Sequence, residues 1–284
     1  MIEISKEIST NLRKKGYKVQ SELRCNPWEG RTTYKGLNLK TKNPVIIKYF
    51  RLLGAKSWSG LNAIEREIRT LSSLNHPRIP KYMESWENNG NLFIVTEYIN
   101  APNASIQSFT EQEVQKIAIA LLEILEYLHS QNPPLIHRDI KPENILVDDD
   151  LNVFLVDFGL AKASWGETTT ASTTVAGTLG FISPELMRNK PCRASDLYAL
   201  GITLICLLYQ INSSEVGNYI NEDFSVNFKQ LPRKSVPKRL VNLIKKLTEP
   251  KLNKRILYPS VEPLRLTRAR IVLDSGTSHP VSHS

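Results

Sequence analysis

The sequence is short of several residue types and patterns. It has three cysteines in 284 residues, Cys25, Cys192 and Cys206, an odd and widely spaced set without a CxxC pair. That excludes a disulfide scaffold and suits a reduced, intracellular setting. Cys25 is expected to be a small buried hydrophobe. Long apolar runs are also lacking. The longest, Leu197 to Ile211, contains Gly201 and Gln210 and suits a buried helix better than a bilayer span. The first ten residues, MIEISKEIST, lack the apolar stretch of a signal peptide. The expectation is a cytoplasmic protein without membrane insertion. No internal repeat is visible, and His279 and His283 are too isolated to suggest a metal site.

What remains is ordinary for a globular chain, with 41% hydrophobic and 23% charged residues, except for a net charge of +9. The surplus is local. Residues 229–270 hold thirteen Lys or Arg and only two acids, Glu249 and Glu262, so the remainder is slightly acidic. No nucleic-acid recognition motif accompanies the charge. The expectation is a solvated basic face or a docking surface for an acidic partner, and not a nucleic-acid site.

Residues 17–99 carry strand-like segments, Tyr17 to Leu23, Thr32 to Leu39, Pro44 to Phe50, Lys81 to Trp86 and Leu92 to Tyr98. Helical spacing from Ser57 to Leu74 interrupts them, and an Asn-Asn-Gly turn joins the last two. Asn100 to Gln107 is polar and reads as a linker. Thr110 then opens a long helix with a Thr-Glu-Gln-Glu capping box and a Val114, Ile117, Leu121, Leu122, Leu125, Leu128 stripe. Further helical patterns cover Ala194 to Tyr209 and Lys238 to Thr248. The expected organisation is an N-terminal extension (1–16), a small α+β unit (17–99), a mostly helical unit (100–265) and a basic, disordered tail (266–284).

The chemistry is concentrated in HRDIKPENILVDDDLNVFLVDFG, residues 137–159. Asp139, Lys141 and Asn144 fall on an irregular segment, and Asp157 follows the second of two apolar stretches. Carboxylates and an amide with a lysine among them suit a hard cation and phosphate oxygens.

This set resembles the eukaryotic-type (Hanks-type) Ser/Thr protein kinases, over roughly residues 17–265. The resemblance implies a bilobal α+β fold: a five-stranded antiparallel sheet with one main helix, then a mostly helical lobe. It implies transfer of the ATP γ-phosphoryl group to Ser/Thr hydroxyls of proteins, with Mg²⁺, or Mn²⁺ in its place. Asp139 matches the base, Lys141 the γ-phosphate lysine, and Asn144 and Asp157 the metal ligands. Lys48 matches the strand lysine on the α- and β-phosphates, and Glu67 its ion-pair partner, with Glu65 the rival. Glu97-Tyr98-Ile99 matches the hinge, Thr96 the gatekeeper and Leu146 the floor of the adenine slot. Leu71, Tyr82, His137 and Phe158 match the spine between lobes. Asp196, Thr178, Ser183-Pro184-Glu185 and Arg255 match further landmarks of the helical lobe.

The sequence departs from the family in the glycine-rich loop. Glycines are expected near Arg24, Asn26 and Glu29, and only Gly30 is present, while Pro27 has no N–H to offer a phosphate. Asn26, Gly30-Arg31 and Thr33-Tyr34 fit a variant loop similar to that of cyanobacterial kinases. Ile46 replaces the usual alanine above adenine, and the segment from Ile211 to Leu240 is short. A pseudokinase that binds nucleotide as a scaffold is therefore the alternative. Eight Ser or Thr between residues 164 and 178 suggest activation by autophosphorylation, with Thr174 leading Thr173, Ser172 and Thr170.

Overall fold

The computed structural model describes residues 6–26, 31–51, 68–158, 162–163 and 180–257. Five antiparallel strands form the first layer: β1 (Tyr17–Asn26), β2 (Arg31–Asn38), β3 (Pro44–Arg51), β4 (Tyr82–Asn88) and β5 (Asn91–Glu97), in the order β1-β2-β3-β5-β4. Asn89 and Gly90, both at positive φ, close the β4–β5 hairpin, as a two-residue turn requires. In β3 the apolar residues alternate between two cores. Val45 and Ile47 join Tyr34, Phe93 and Val95 on the outer face, while Phe50 joins Ile94 and Leu71 on the inner one.

The outer face is covered by α1 (Lys6–Lys14), a helix that the sequence reading left within the N-terminal extension. Leu12 is buried against the sheet, Asn11 Oδ1 accepts from Trp86 Nε1 at 2.8 Å, and Trp86 stacks on Tyr17. Of the helical pattern from Ser57 to Leu74, residues 68–73 are described and are helical.

The helical lobe is built on α2 (Glu111–Ser130) and α4 (Arg193–Tyr209). The capping box at the start of α2 is formed: Thr110 Oγ1 accepts from Glu113 N, and Thr110 N donates to Glu113 Oε2. The apolar stripe of α2 is buried, whereas α4 is buried on nearly every side from Ala194 to Leu208, as a helix at the centre of a lobe must be. The amphipathic α5 (Lys238–Leu247) packs beside α4, its lysines outward. A short helix, α3 (Pro184–Met187), precedes α4.

Two expectations need correction. Asn100–Gln107 is not a free linker. Pro102 O accepts from Val147 N, Asn103 bridges Leu146, and Ala104–Ile106 form a 3₁₀ turn with Ala104 buried. Polar composition concealed this because the segment is held through its backbone. Cys25 is exposed rather than buried, since β1 carries it toward the solvent-facing end of the hairpin. Between Tyr209 and Lys238 the described residues contain one 3₁₀ turn, Val216–Tyr219, and no α-helix.

Candidate active site

The segment after α2 carries the candidate site residues: β6 (Leu135–Ile136), an irregular stretch from His137 to Lys141, a 3₁₀ turn at Pro142–Asn144, then β7 (Ile145–Val147) and β8 (Val153–Leu155), paired antiparallel. An irregular buried stretch needs partners for its backbone, and α4 provides them. Asp196, fully buried in the first turn of α4, accepts from the backbone N–H groups of His137 and Arg138 at 2.9 Å each, and is bonded to His129 Nε2 at 2.9 Å. One helical stretch further on, Thr203 Oγ1 donates to Ile140 O. The stretch is thus tied at both ends to the most buried of the described helices.

This anchoring brings Asp139, Lys141 and Asn144 together. Asn144 Nδ2 donates to Asp139 O and Asp139 Oδ2, both at 2.8 Å, and Lys141 Nζ lies 3.1 Å from Asp139 Oδ2. With the amide nitrogen engaged, Asn144 Oδ1 remains as its acceptor. Asp157 follows β8 with φ +63° and Arg138 has φ +70°, left-handed conformations that turn the chain sharply beside the cleft.

Asp157 is the meeting point of the two lobes. Lys48 Nζ reaches Asp157 Oδ1 at 2.8 Å, Arg31 Nη2 reaches the same oxygen at 3.4 Å, and Arg24 Nη1 lies 3.9 Å from Oδ2. Burial alone would raise the Asp157 carboxyl, but the Lys48 and Arg31 cations outweigh it and hold the group well below the usual carboxylate range. Phe158 is buried and packs edge-on against His137, ring centroids 4.8 Å apart. Burial lowers the His137 imidazole from its ordinary value.

A cavity of about 400 Å³ lies between the lobes. Ile46 and Thr96, cross-strand neighbours on β3 and β5, line it with Lys48, Glu97, Tyr98 and Ile99. Leu146, Asn144, Asp157 and Phe158 line it from the other lobe. A mostly apolar slot with a few convergent polar groups fits a nucleotide-sized ligand. Asn144 and Asp157 offer oxygen donors to the same cavity, and the described residues contain no fuller acidic or thiolate cluster. Two protein oxygens beside a place for phosphates fit Mg²⁺, which keeps its remaining positions for phosphate and water.

Of the residues singled out from sequence, Lys48, Thr96, Glu97, Ile99, Leu146, Asn144 and Asp157 line this one cavity, with Asp139 and Lys141 joined to it through Asn144. Gly30, Glu67, Glu65, Thr170, Ser172, Thr173, Thr174 and Thr178 lie outside the described residues, as do residues 258–284. Sequence reasoning placed Arg31 in the variant loop but gave neither Arg31 nor Arg24 a role at the site. The signal that could have found them is a pair of arginines flanking a loop short of glycine.

The far end of the segment is also fixed. Arg255 Nη1 and Nη2 meet Glu185 Oε1 and Oε2 at 2.7 and 3.3 Å, and Ser195 Oγ donates to Glu185 Oε1 at 2.8 Å.

Comparison with known proteins agrees with this geometry. A family model described as "Protein kinase domain" matches residues 29–262. The chain is 38% identical over 159 residues to serine/threonine-protein kinase B of Synechocystis, an alignment covering 51% of this chain and 27% of that protein. Kinase D of Synechocystis is 34% identical over 187 residues, covering 61% and 37%. Serine/threonine-protein kinase cds1 of Schizosaccharomyces pombe is 36% identical over 176 residues, covering 58% and 38%. The matched region thus spans well under half the length of each of these relatives. With the two lobes, the cleft and the Lys48–Asp157 contact in place, a match over most of the chain establishes that it belongs to the protein kinase family.

Proposed function

We propose that the protein is a Ser/Thr protein kinase that transfers the γ-phosphoryl group of ATP to hydroxyl groups of protein substrates. The observation that carries this reading is the Asp139–Asn144–Lys141 cluster standing beside Asp157 and Lys48 at one cleft. Asp139 accepts the proton of the substrate hydroxyl as that oxygen bonds to the γ-phosphorus, and the bond to the bridging oxygen of ADP breaks. Lys141, 3.1 Å from Asp139, is placed to offset charge on the transferred group. Lys48 grips the α- and β-phosphates, with Glu67 as its partner. The adenine lies between Ile46 and Leu146, against the hinge from Glu97 to Ile99 and beside Thr96. Asn144 and Asp157 would hold Mg²⁺, which would neutralise phosphate oxygens.

Activation by autophosphorylation at Thr174, or at Thr173, Ser172 or Thr170, belongs to the same reading. Arg138, buried next to Asp139, is the cation that a phosphorylated residue would meet. We take the lobes as 17–99 and 100–265, joined at the hinge, and the setting as cytoplasmic. None of the described helices is long and apolar enough to cross a membrane. Nine exposed cations between Lys229 and Lys254, against Glu249 alone, support a docking surface for an acidic partner.

The test is transfer of labelled phosphate from Mg-ATP to a basic protein substrate, comparing wild type with Asp139→Ala and Lys48→Met. Transfer by the wild type alone supports the reading. Nucleotide binding without transfer by the wild type would make the protein a pseudokinase. Mass spectrometry after incubation with Mg-ATP tests the loop, where an unmodified loop in an active enzyme sinks autophosphorylation.

A further inference from the structure

We propose that Arg24 and Arg31 bind the phosphate oxygens of ATP, doing with guanidinium groups what a glycine-rich loop does with backbone N–H groups. The assignment rests on the kinase reading and adds to its binding site two residues which that reading does not use.

Three observations carry it. The first is placement. β2 pairs with β3 so that Arg31 lies opposite Phe50 and Thr33 opposite Lys48, and β1 pairs with β2 so that Arg24 lies opposite Thr33. Opposed residues share a face of a sheet, so both arginines stand on the cleft face with Lys48. The second is convergence. Both guanidiniums approach the Asp157 carboxylate that Lys48 also touches, at 3.4 Å from Arg31 and 3.9 Å from Arg24. A guanidinium that reaches this carboxylate also reaches the space beside it, and it suits phosphate because it can present two parallel N–H donors. The third is sequence. The segment between the two arginines, Cys25-Asn26-Pro27-Trp28-Glu29-Gly30, contains a single glycine, and its proline has no N–H to give a phosphate.

The two arginines divide the work. Arg31 is less than a quarter exposed and lies over the Phe50 ring at 5.0 Å, so its head is held in place before any ligand arrives. Arg24 lines the nucleotide cavity with a side chain 64% exposed, so it is free to follow the phosphates. On this assignment the phosphates would take the place that Asp157 now holds between the two guanidiniums, and Asp157 would be left to hold Mg²⁺.

Calorimetric titration with ATP and with adenosine, both in MgCl₂, tests the proposal on wild type, Arg24→Ala, Arg31→Ala and Arg31→Lys. ATP affinity is expected to fall about tenfold for each alanine variant, the size of one lost hydrogen bond to a charged group. Adenosine affinity is expected to stay at the wild-type value, and Arg31→Lys to recover part of the loss. ATP binding unchanged in both alanine variants, while the wild type binds ATP, overturns the assignment alone. Equal loss for ATP and adenosine also overturns it, because the arginines would then support the slot and not the phosphates. A wild type that binds neither compound overturns the kinase reading and this assignment together. Arg24→Ala alters an exposed side chain, so it keeps the test open if Arg31→Ala does not fold.

Discussion

Arg255 and Glu185, seventy residues apart, form a two-pronged buried ion pair that joins the end of the helical lobe to the first turn of α3. The Arg255 side chain is fully buried, and its remaining donors go to the backbone carbonyls of Ala194, Glu249 and Pro250. Removing one partner leaves the other charged and dry. Arg255→Ala is expected to destabilise the fold by about 3–5 kcal/mol, with Arg255→Lys a poor rescue because lysine lacks the fork. Thermal or urea unfolding measures both.

The same pair predicts a pH dependence. Burial would raise the Glu185 carboxyl, but the bond and charge of Arg255 bring it below its ordinary value. A carboxyl depressed in the folded state stabilises above its unfolded value and loses that contribution as pH falls through its folded one. The stability difference between wild type and Arg255→Ala is therefore expected to be full at neutral pH. It should shrink as the pH drops below the ordinary glutamate range. A difference that stays constant down to acid pH would contradict the pairing.

Asp139→Asn keeps the shape of the side chain and an oxygen to accept from Asn144 Nδ2, but removes the proposed base. Phosphoryl transfer is expected to fall by about 10²–10⁴ with ATP affinity unchanged. Steady-state kinetics beside nucleotide titration separates the two quantities.

Gly201 lies where α4 meets α5. A Cβ there would stand 2.5 Å from Thr248 Cγ2 and 2.9 Å from Leu247 Cβ. Gly201→Ala is expected to cost about 1–3 kcal/mol by forcing the helices apart, despite alanine's better helix propensity. An increase in melting temperature would mean that the helix contact yields more easily than its geometry implies.

Leu12 is the buried anchor of α1. Leu12→Ala is expected to destabilise by about 2–5 kcal/mol, a loss that a dispensable N-terminal extension would not show. Chemical denaturation of the variant reads the difference directly.

The stretch from Asp139 to Asp157 stood out in the sequence because its residues are close together and chemically unusual. Asp139, Lys141, Asn144 and Asp157 fall within nineteen residues, and each is a type rarely buried without a task. The helices α2 and α4 were legible from apolar spacing and, for α2, from its capping box. α1 was not, because its short segment is mostly polar and its anchoring depends on Trp86, seventy-five residues away from Asn11. The convergence of Arg24 and Arg31 on Asp157 was hidden for the same reason. It is made by the pairing of β1, β2 and β3 and by a contact spanning 126 residues, which no local pattern encodes.

The double coverage of the sheet has a consequence for the chemistry. Side chains on β3 alternate, with Val45 and Ile47 toward the α1 side and Lys48 toward the cleft. A shift of this strand by one residue would send the ammonium of Lys48 into an apolar layer and put a branched hydrocarbon in front of Asp157. Because both faces of the strand are buried, the outer layer penalises that slip as well as the inner one. The helix on the outer face of the sheet thus acts as a ratchet on the position of a charge inside the cleft.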